Sequence, residues 1–312
     1  MRVLAVGAKG FVGAGLCRQL LDRGHSVTAL EVKPGPGRLA DVADDIEWIV
    51  GDGSSREVLL GAIGRRGVDA VYYGPYFRAT PGQAGLEREL DVMGTAAWRL
   101  FSLAYALDIK RILFPSSTAV HGYQPGDGSP VSEESRVAPN LIYGAYKILG
   151  EFVGRDVNAV IGHNVITSVR LPSIYGPGAK FASRRVNVPA VCAAHGEIGT
   201  DDYEREARVC VAHVDDTADA LVRVLEAERP RHSVYDLGGL DVSFGEIAES
   251  VTRLVPTART VFGTDTRPIL PHAVDNTRGR EEFGFTHRPL DEGMASVIDY
   301  ERARAAEPRV VA

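Results

Sequence analysis

The sequence has few cysteines and no long apolar run. Its three cysteines, Cys17, Cys192 and Cys210, are scattered over 312 residues without the spacing of a metal site. Such a sparse, odd set indicates buried thiols in a reducing compartment. No uninterrupted apolar stretch is long enough to span a bilayer, and residues 1–6 lead straight into Gly7 without a cleavable signal pattern. We therefore expect a cytoplasmic protein with no metal site and no membrane partner.

Positive charge is also scarce. The 35 lysines and arginines are outnumbered by 41 aspartates and glutamates, which leaves a net charge of -6. A nucleic-acid-binding face needs an excess of basic residues, so this balance argues against a nucleic-acid partner. Only five of the basic residues are lysines, and each is therefore a candidate for a chemical role: Lys9, Lys33, Lys110, Lys147 and Lys180.

The first half of the chain alternates short β-branched runs with amphipathic stretches. We predict strands at residues 2–6, 26–31, 47–50, 70–73, 111–115 and 164–170, and helices at residues 11–23, 55–65, 87–107 and 143–158. This rhythm predicts an α/β fold with a parallel sheet covered by helices on both faces.

The alternation stops after Arg170, and residues 171–208 show little regular pattern. Beyond them we predict a helix at residues 215–227, a strand at 233–236 and a closing helix at 290–304. We divide the chain into a large domain, residues 1–170 with about 209–232, and a smaller lobe, residues 171–208 and 233–312.

A glycine-rich turn joins the first strand to the first helix. Gly7, Gly10 and Gly13 have the spacing G-x-x-G-x-x-G. In a strand–turn–helix unit such glycines allow a tight turn, a close approach of the backbone to a pyrophosphate, and close helix–strand packing. The helix N-terminus then offers free N–H groups to the anion. This turn predicts a dinucleotide site.

Two carboxylates at the same sheet edge refine that prediction. Glu31 ends the second strand, where a carboxylate binds the ribose hydroxyls of an adenosine and repels the 2′-phosphate of NADP. NAD is therefore favoured, although Lys33 and Arg38 follow closely and leave NADP as the alternative. Asp52 follows the third strand and could reach the adenine.

A tyrosine and a lysine lie four residues apart on one predicted helix face. A nearby ammonium and an oxidised nicotinamide both stabilise the phenolate of Tyr143, so Lys147 moves this tyrosine toward a useful acid–base range. Ser117 lies 26 residues before Tyr143, in the cluster Ser116-Ser117-Thr118 at the end of a predicted strand. Ligands bind at the carboxyl ends of such strands. We predict Ser117, Tyr143 and Lys147 as the catalytic residues.

Together these motifs resemble the extended short-chain dehydrogenase/reductase family, in its NAD-dependent epimerase/dehydratase group. The resemblance covers nearly the whole chain, since further family-like segments follow in order: residues 92–95 (VMGT), 115–122 (PSSTAVHG), 170–178 (RLPSIYGPG), 213–216 (HVDD) and 235–239 (YDLGG). It implies a Rossmann-type doubly wound sheet that carries NAD, with a smaller C-terminal substrate lobe. It also implies a homodimer paired through helices at about residues 91–106 and 143–157.

The resemblance also assigns residues to the ligands. It implies that the cofactor contacts include Gly7, Gly10, Phe11, Val12, Gly13, Glu31, Asp52, Gly74, Tyr143, Lys147, Pro172 and Ile174. It implies that the small-molecule substrate meets Tyr76, Arg78, Thr118, Ser173, Arg208 and Arg267. At or next to the last three positions, this chain departs from the residues found in relatives that bind a nucleotide sugar.

The two residues after Ser117 bear on the reaction. Sugar-nucleotide 4,6-dehydratases of the family have an Asp-Glu pair there, whereas this chain has Thr118 and Ala119. These side chains cannot exchange protons with the substrate as carboxylates do, so we do not expect dehydration by that mechanism.

Three functions remain open. The first is an NAD-dependent oxidoreductase or epimerase acting on a secondary alcohol or ketone of a sugar or nucleotide-sugar-like substrate. The second is a dehydrogenase or reductase of a small hydroxy acid, polyol or natural-product intermediate. The third is a non-catalytic dinucleotide-binding module, which is disfavoured because Tyr143 and Lys147 are both present.

Overall fold

A computed structural model describes residues 1–64, 67–79, 85–179, 184–266 and 270–306. Its first half alternates strands and helices: β1 (Arg2–Val6), α1 (Phe11–Asp22), β2 (Ser26–Glu31), β3 (Ile46–Val50), α2 (Arg56–Gly64), β4 (Ala70–Tyr73), α3 (Leu86–Glu89), α4 (Ala96–Ala106), β5 (Arg111–Ser117), α5 (Ile142–Ile161) and β6 (Ile166–Leu171). The strands and helices predicted for this half are all present, within a few residues at their ends, except that the predicted helix at 87–107 is divided.

The second half contains short strands and five helices within the described ranges. They are β7 (Ser173–Tyr175), α6 (Arg184–His195), β8 (Ile198–Tyr203), β9 (Arg208–His213), α7 (Val214–Glu226), β10 (Val234–Asp236), β11 (Leu240–Ser243), α8 (Phe244–Leu254), β12 (Arg259–Asp265), α9 (Thr277–Phe283) and α10 (Leu290–Ala306). The sequence did not predict β7, α6 or β8. Pro189 lies inside α6 and masks its helical pattern.

Seven parallel strands form the main sheet, in the order β10-β6-β5-β4-β1-β2-β3. The chain runs outward from β1 to β3, then returns to the other side of β1 with β4. The strand order therefore reverses between β1 and β4, and the crevice at the carboxyl ends of these two strands is the usual ligand position in such sheets. The doubly wound Rossmann-type fold is confirmed.

Both faces of the main sheet are buried, which explains its near-continuous apolar strands. One face packs against α1 and α7, through a core that includes Leu16, Leu20 and Leu221. The other packs against α2, α4 and α5, around Leu59, Leu100 and Phe101.

A second lobe is built on two small sheets. One has the order β11-β9-β7, and the other pairs β12 with β8. Helices α6, α8 and α10 enclose an apolar core between them, which includes Ile247 and Met294. The strand predicted at residues 233–236, which we expected in this lobe, is β10 and lies at the edge of the main sheet beside β6.

The helix predicted at residues 87–107 is interrupted by a π-helical turn, Leu90–Thr95. Within it, Thr95 donates a hydrogen bond from Oγ1 to the carbonyl of Asp91, at 3.2 Å. Gly94 faces Tyr146 of α5, and a β-carbon there would be in ordinary van der Waals contact with that ring, at 3.4 Å. Short π-helical turns are frequent at functional sites, and this one packs against the helix that carries Tyr143.

Candidate active site

The glycine-rich turn lies at the carboxyl end of β1, at the point where the strand order reverses. Gly7 has φ +80°, and a β-carbon there would lie 2.9 Å from the carbonyl oxygen of Gly74, at the end of β4. A β-carbon on Gly13 would lie 2.4 Å from the carbonyl oxygen of Gly7. The turn is thus closed by backbone packing alone, and Gly10, Phe11 and Val12 lead into the first turn of α1.

This turn fits the pyrophosphate of a dinucleotide. Its backbone leaves space that side chains would fill, and the N-terminus of the twelve-residue helix α1 opens toward it. Free N–H groups and the positive end of the helix dipole favour an anion at this position.

Glu31 is held in place at the end of β2. Its Oε1 accepts a hydrogen bond from the backbone N–H of Lys9, at 2.5 Å. The ammonium of Lys9 in turn donates to the carbonyls of Lys33 and Gly35, at 2.5 and 3.1 Å. Hydrogen bonds of Lys9 therefore link the glycine-rich turn to Glu31 and to the loop after β2. The position of the Glu31 carboxylate fits a contact with the ribose hydroxyls of NAD.

Asp52 follows β3 and is engaged by protein groups. It accepts hydrogen bonds from the backbone and hydroxyl of Ser54, at 2.9 and 2.7 Å, and pairs with Arg88. Its carboxylate is thus fixed by protein groups, and a contact with adenine stays a prediction.

Arg38 links two loops at the carboxyl end of the main sheet. It lies in the 3-10 helix Gly37–Asp45 after β2 and donates a hydrogen bond to the carbonyl of Gly178, at 2.6 Å. Its guanidinium also lies over the ring of Phe11, 5.6 Å from the ring centre. The loop after β2 and the loop after β7 are therefore bridged above the start of α1.

Tyr143 and Ser117 meet at the carboxyl end of the sheet. Ser117 ends β5, and Tyr143 lies in the first turn of α5. Burial and the neighbouring Tyr76 raise the pKa of Tyr143 to about 12, while a hydrogen bond with Ser117 and the charge of Arg78 act in the opposite direction. Without a cofactor, this tyrosine therefore keeps its proton near neutral pH.

Lys147 lies one turn further along α5 and is buried. Its Nζ donates a hydrogen bond to the carbonyl of Pro115, at 2.6 Å, and lies 5.6 Å from the centre of the Tyr143 ring. Burial lowers the pKa of Lys147 to about 8, and the negative charge of Glu151 opposes that fall. The three predicted catalytic residues are therefore close together in the structure.

The predicted substrate residues divide into two groups. Tyr76 stands edge-on to Tyr143, with ring centres 5.9 Å apart, and Arg78 pairs with the buried Glu89 at 3.3 Å. Thr118 is fully buried, and its Oγ1 has no hydrogen-bond partner among the described residues. These three lie beside the catalytic residues in sequence or space.

The other predicted substrate residues have protein partners or lie outside the described residues. The guanidinium of Arg208 binds Asp241 at 2.8 Å and Glu246 at 3.4 Å. Ser173 begins β7 and pairs with Val211. Arg267 lies outside the described residues. Pro172 and Ile174, predicted to face the cofactor, are buried on either side of Ser173.

The sequence reasoning missed a buried charge cluster beside the site. Glu151, Arg170, Asp236 and His121 are all nearly inaccessible and form ion pairs with one another. One signal was present, because Glu151 follows Lys147 by four residues and so shares its helix face. Within the described ranges, no group of three His, Cys, Asp or Glu residues could hold a metal, and no helix is long and apolar enough to span a membrane.

Comparisons with known proteins identify the family of this chain. The model of the NAD dependent epimerase/dehydratase family matches residues 3–238, and the chain belongs to this family. UDP-glucose 4-epimerase of Azospirillum brasilense is 26% identical, over 97% of this chain and 92% of that protein. dTDP-glucose 4,6-dehydratase of Streptomyces niveus is 25% identical, over 98% and 94%.

A solved structure has the same fold. The UDP-glucose 4-epimerase of Thermus thermophilus in complex with NAD superposes with a TM-score of 0.81, covering 98% of this chain and all of that one, at 19% identity. At this identity the likeness shows the fold alone.

Proposed function

We propose that this chain is an NAD-dependent oxidoreductase or epimerase that acts on a secondary alcohol or ketone of a sugar or nucleotide-sugar-like substrate. The observation that carries the proposal is the convergence of Ser117, Tyr143 and Lys147 next to a glycine-rich turn that fits a pyrophosphate. The relatives support it, since a UDP-glucose 4-epimerase aligns over nearly the whole chain.

Each catalytic residue has a separate task. NAD, when bound, supplies a nicotinamide that takes up or returns a hydride at the substrate carbon. Tyr143 removes the hydroxyl proton, and Ser117 orients the oxygen that loses it. Lys147 stabilises the phenolate by its charge and holds the nicotinamide ribose. Glu31 binds the adenosine ribose, which favours NAD over NADP.

Dehydration by the carboxylate mechanism is not part of the proposal, although one relative is a 4,6-dehydratase. Thr118 and Ala119 follow Ser117, and neither side chain is an acid at neutral pH. Thr118 is fully buried and its hydroxyl lacks a hydrogen-bond partner among the described residues, so a substrate contact of this hydroxyl stays a prediction. We assign Tyr76 and Arg78 to the mouth of the same site.

The experiment that tests this function is an incubation with NAD and two groups of compounds. One group holds UDP-glucose and UDP-galactose, and the other holds sugar acids and polyols. Interconversion of the two UDP-sugars without net reduction of NAD indicates an epimerase. Net formation of NADH indicates a dehydrogenase, and no reaction with either group contradicts the proposal.

The second candidate, a dehydrogenase of a small hydroxy acid or polyol, is favoured by one observation. A nucleotide-sugar diphosphate needs cationic ligands, and Arg208 is already occupied by Asp241 and Glu246. A small substrate needs no such ligand. Net formation of NADH with the small compounds alone would select this candidate.

The bridge made by Arg38 supports a cofactor that stays bound between turnovers, as an epimerase cycle requires. We infer that a dinucleotide on the glycine-rich turn is released faster when the bond between Arg38 and Gly178 is open. We expect Arg38→Met to accelerate NAD release about tenfold or more, since a charged hydrogen bond contributes about 1.5–3 kcal/mol. Stopped-flow displacement of NAD measures this rate.

The control for this variant is Arg259→Met. Within the described ranges, Arg259 likewise donates to carbonyl oxygens, of Pro256 and Ala258, but it lies on β12 in the second lobe. Equal release rates in wild type and Arg38→Met would show that the bridge does not retain the cofactor.

We also propose a homodimer formed through α4 and α5. Both helices expose large apolar side chains to solvent: Trp98 and Tyr105 on α4, and Leu149, Phe152 and Val160 on α5. Large exposed apolar side chains on two packed helices are the kind of surface that an interface between subunits covers.

A charge within this surface is expected to separate the subunits. We expect Phe152→Glu to be monomeric in sedimentation velocity, whereas the wild type sediments as two chains. Val261→Glu, at another exposed apolar position, on β12, is expected to remain dimeric. A monomeric wild type would refute the dimer.

A further inference from the structure

A buried ion pair lies directly behind the catalytic residues. Glu151 on α5 and Arg170 on β6 form two parallel hydrogen bonds, from Nε at 2.9 Å and from Nη2 at 2.8 Å. Their side chains are only 8% and 5% exposed. A two-bond pair with this little exposure fixes both side chains in one geometry.

Two hydrogen bonds connect α5 to β5 near this pair. Glu151 accepts a hydrogen bond from the hydroxyl of Ser116, and Lys147 donates to the carbonyl of Pro115 at 2.6 Å. Ser116 and Pro115 immediately precede Ser117 on β5. The helix that carries Tyr143 is thus fastened to the strand that carries Ser117, one turn away from the reacting groups.

From this geometry we propose that Glu151 is a positioning residue, which keeps Lys147 cationic and holds α5 in register with β5. The proposal rests on the role given above to Lys147. Glu151 does not touch substrate or cofactor, and acts through Lys147 and Ser116.

The electrostatic part follows from the surroundings of Lys147. On its own helix the titratable neighbours are Tyr143 and Glu151. On β5 it meets the carbonyl of Pro115 and, at 4.8 Å, the ring of Phe114. Arg170, on β6, is shared between the carboxylates of Glu151 and Asp236. The charge of Glu151 raises the pKa of this buried ammonium and so opposes the larger lowering by burial.

Further groups hold Arg170 itself. Its Nη1 lies 3.5 Å from the carboxylate of Asp236 on β10 and 3.3 Å from Nε2 of His121. The backbone N–H of Asp236 donates to Glu133 at 2.8 Å. Arg170 thus has fixed partners on its far side, and cannot swing away from Glu151 without breaking these contacts.

The test is a direct titration of Lys147, and it needs no substrate. The chain has only five lysines, so protein labelled with ¹³C at the lysine ε-carbon gives a spectrum in which Lys147 is identified by its loss in Lys147→Met. The midpoint of its shift against pH is measured in wild type, Glu151→Gln and Ser116→Ala.

We expect a wild-type midpoint near pH 8. Glu151→Gln keeps the side-chain size but removes the charge, so the midpoint should fall by about one pH unit or more, a tenfold change in the protonation equilibrium. Ser116→Ala removes a hydrogen bond but no charge, and should leave the midpoint in place. An unchanged midpoint in Glu151→Gln overturns the proposal.

A second variant covers a failure of Glu151→Gln to fold, since, among the described residues, that change leaves the buried Arg170 with only the longer ion pair to Asp236, at 3.5 Å. Glu151→Gln/Arg170→Met replaces the pair by neutral side chains. Its Lys147 midpoint should fall in the same direction as in Glu151→Gln but by less, because a positive charge is removed together with the negative one. Absence of turnover with every substrate would refute the proposed function and leave this titration intact. The two failures are therefore distinguishable.

Discussion

Replacing Tyr143 by phenylalanine is expected to lower kcat by about 10²–10⁴-fold, the usual contribution of a positioned general acid or base. The variant lacks only the hydroxyl that exchanges a proton with the substrate. The ring still fills the space beside Tyr76, and the glycine-rich turn is untouched, so NAD should still bind. Steady-state kinetics and NAD titration measure the two effects separately.

Tyr146→Phe is the matched control, because Tyr146 lies on the same helix but against Gly94 of the π-helical turn. We expect its kcat to remain close to that of the wild type. A large loss in Tyr146→Phe together with an active Tyr143→Phe would reassign the catalytic tyrosine.

The second large effect is expected from Gly13→Ala. The added methyl group would lie 2.4 Å from the carbonyl oxygen of Gly7, so the turn must open to admit it. Overpacking of this kind costs about 1–3 kcal/mol, which corresponds to roughly 5- to 150-fold in NAD affinity if the strain falls on the bound state. Isothermal titration with NAD measures the loss.

Gly61→Ala provides the opposite control. Gly61 lies inside α2, and a β-carbon there meets no atom within 4 Å. Because alanine is the better helix former, this variant should gain about 0.5–1 kcal/mol in its free energy of unfolding, with unchanged NAD affinity. If Gly13→Ala bound NAD as tightly as Gly61→Ala, the turn would not be the pyrophosphate site.

The parts of this fold that the sequence could predict are those set by local pattern. The apolar period of the strands predicted β1, β2 and β4 at their observed residues, and glycine spacing predicted the turn between β1 and α1. Tyr143 and Lys147 are four residues apart, so helical geometry alone places them on one face. Ser117 could be added because it ends a strand of a parallel sheet.

The contacts that could not be predicted join residues far apart in the chain. The bond from Arg38 to Gly178 spans 140 residues, and Arg170 meets Asp236 across 66. No periodicity encodes such partners. The π-helical turn was missed for a different reason, since such turns are rare and occur as single turns inside segments that are otherwise α-helical.

The central claim is that NAD binds at the carboxyl ends of β1 and β4, next to the catalytic Tyr143. Mass spectrometry of the nucleotide released when the purified protein is denatured, after loading with equal amounts of NAD and NADP, tests the cofactor most directly. We predict NAD at close to one per chain, with little NADP, because a carboxylate at the end of β2 is expected to bind the ribose hydroxyls and repel a 2′-phosphate. Recovery of neither nucleotide would favour a dehydrogenase that exchanges its cofactor, whereas retention of NADP in place of NAD would contradict the account.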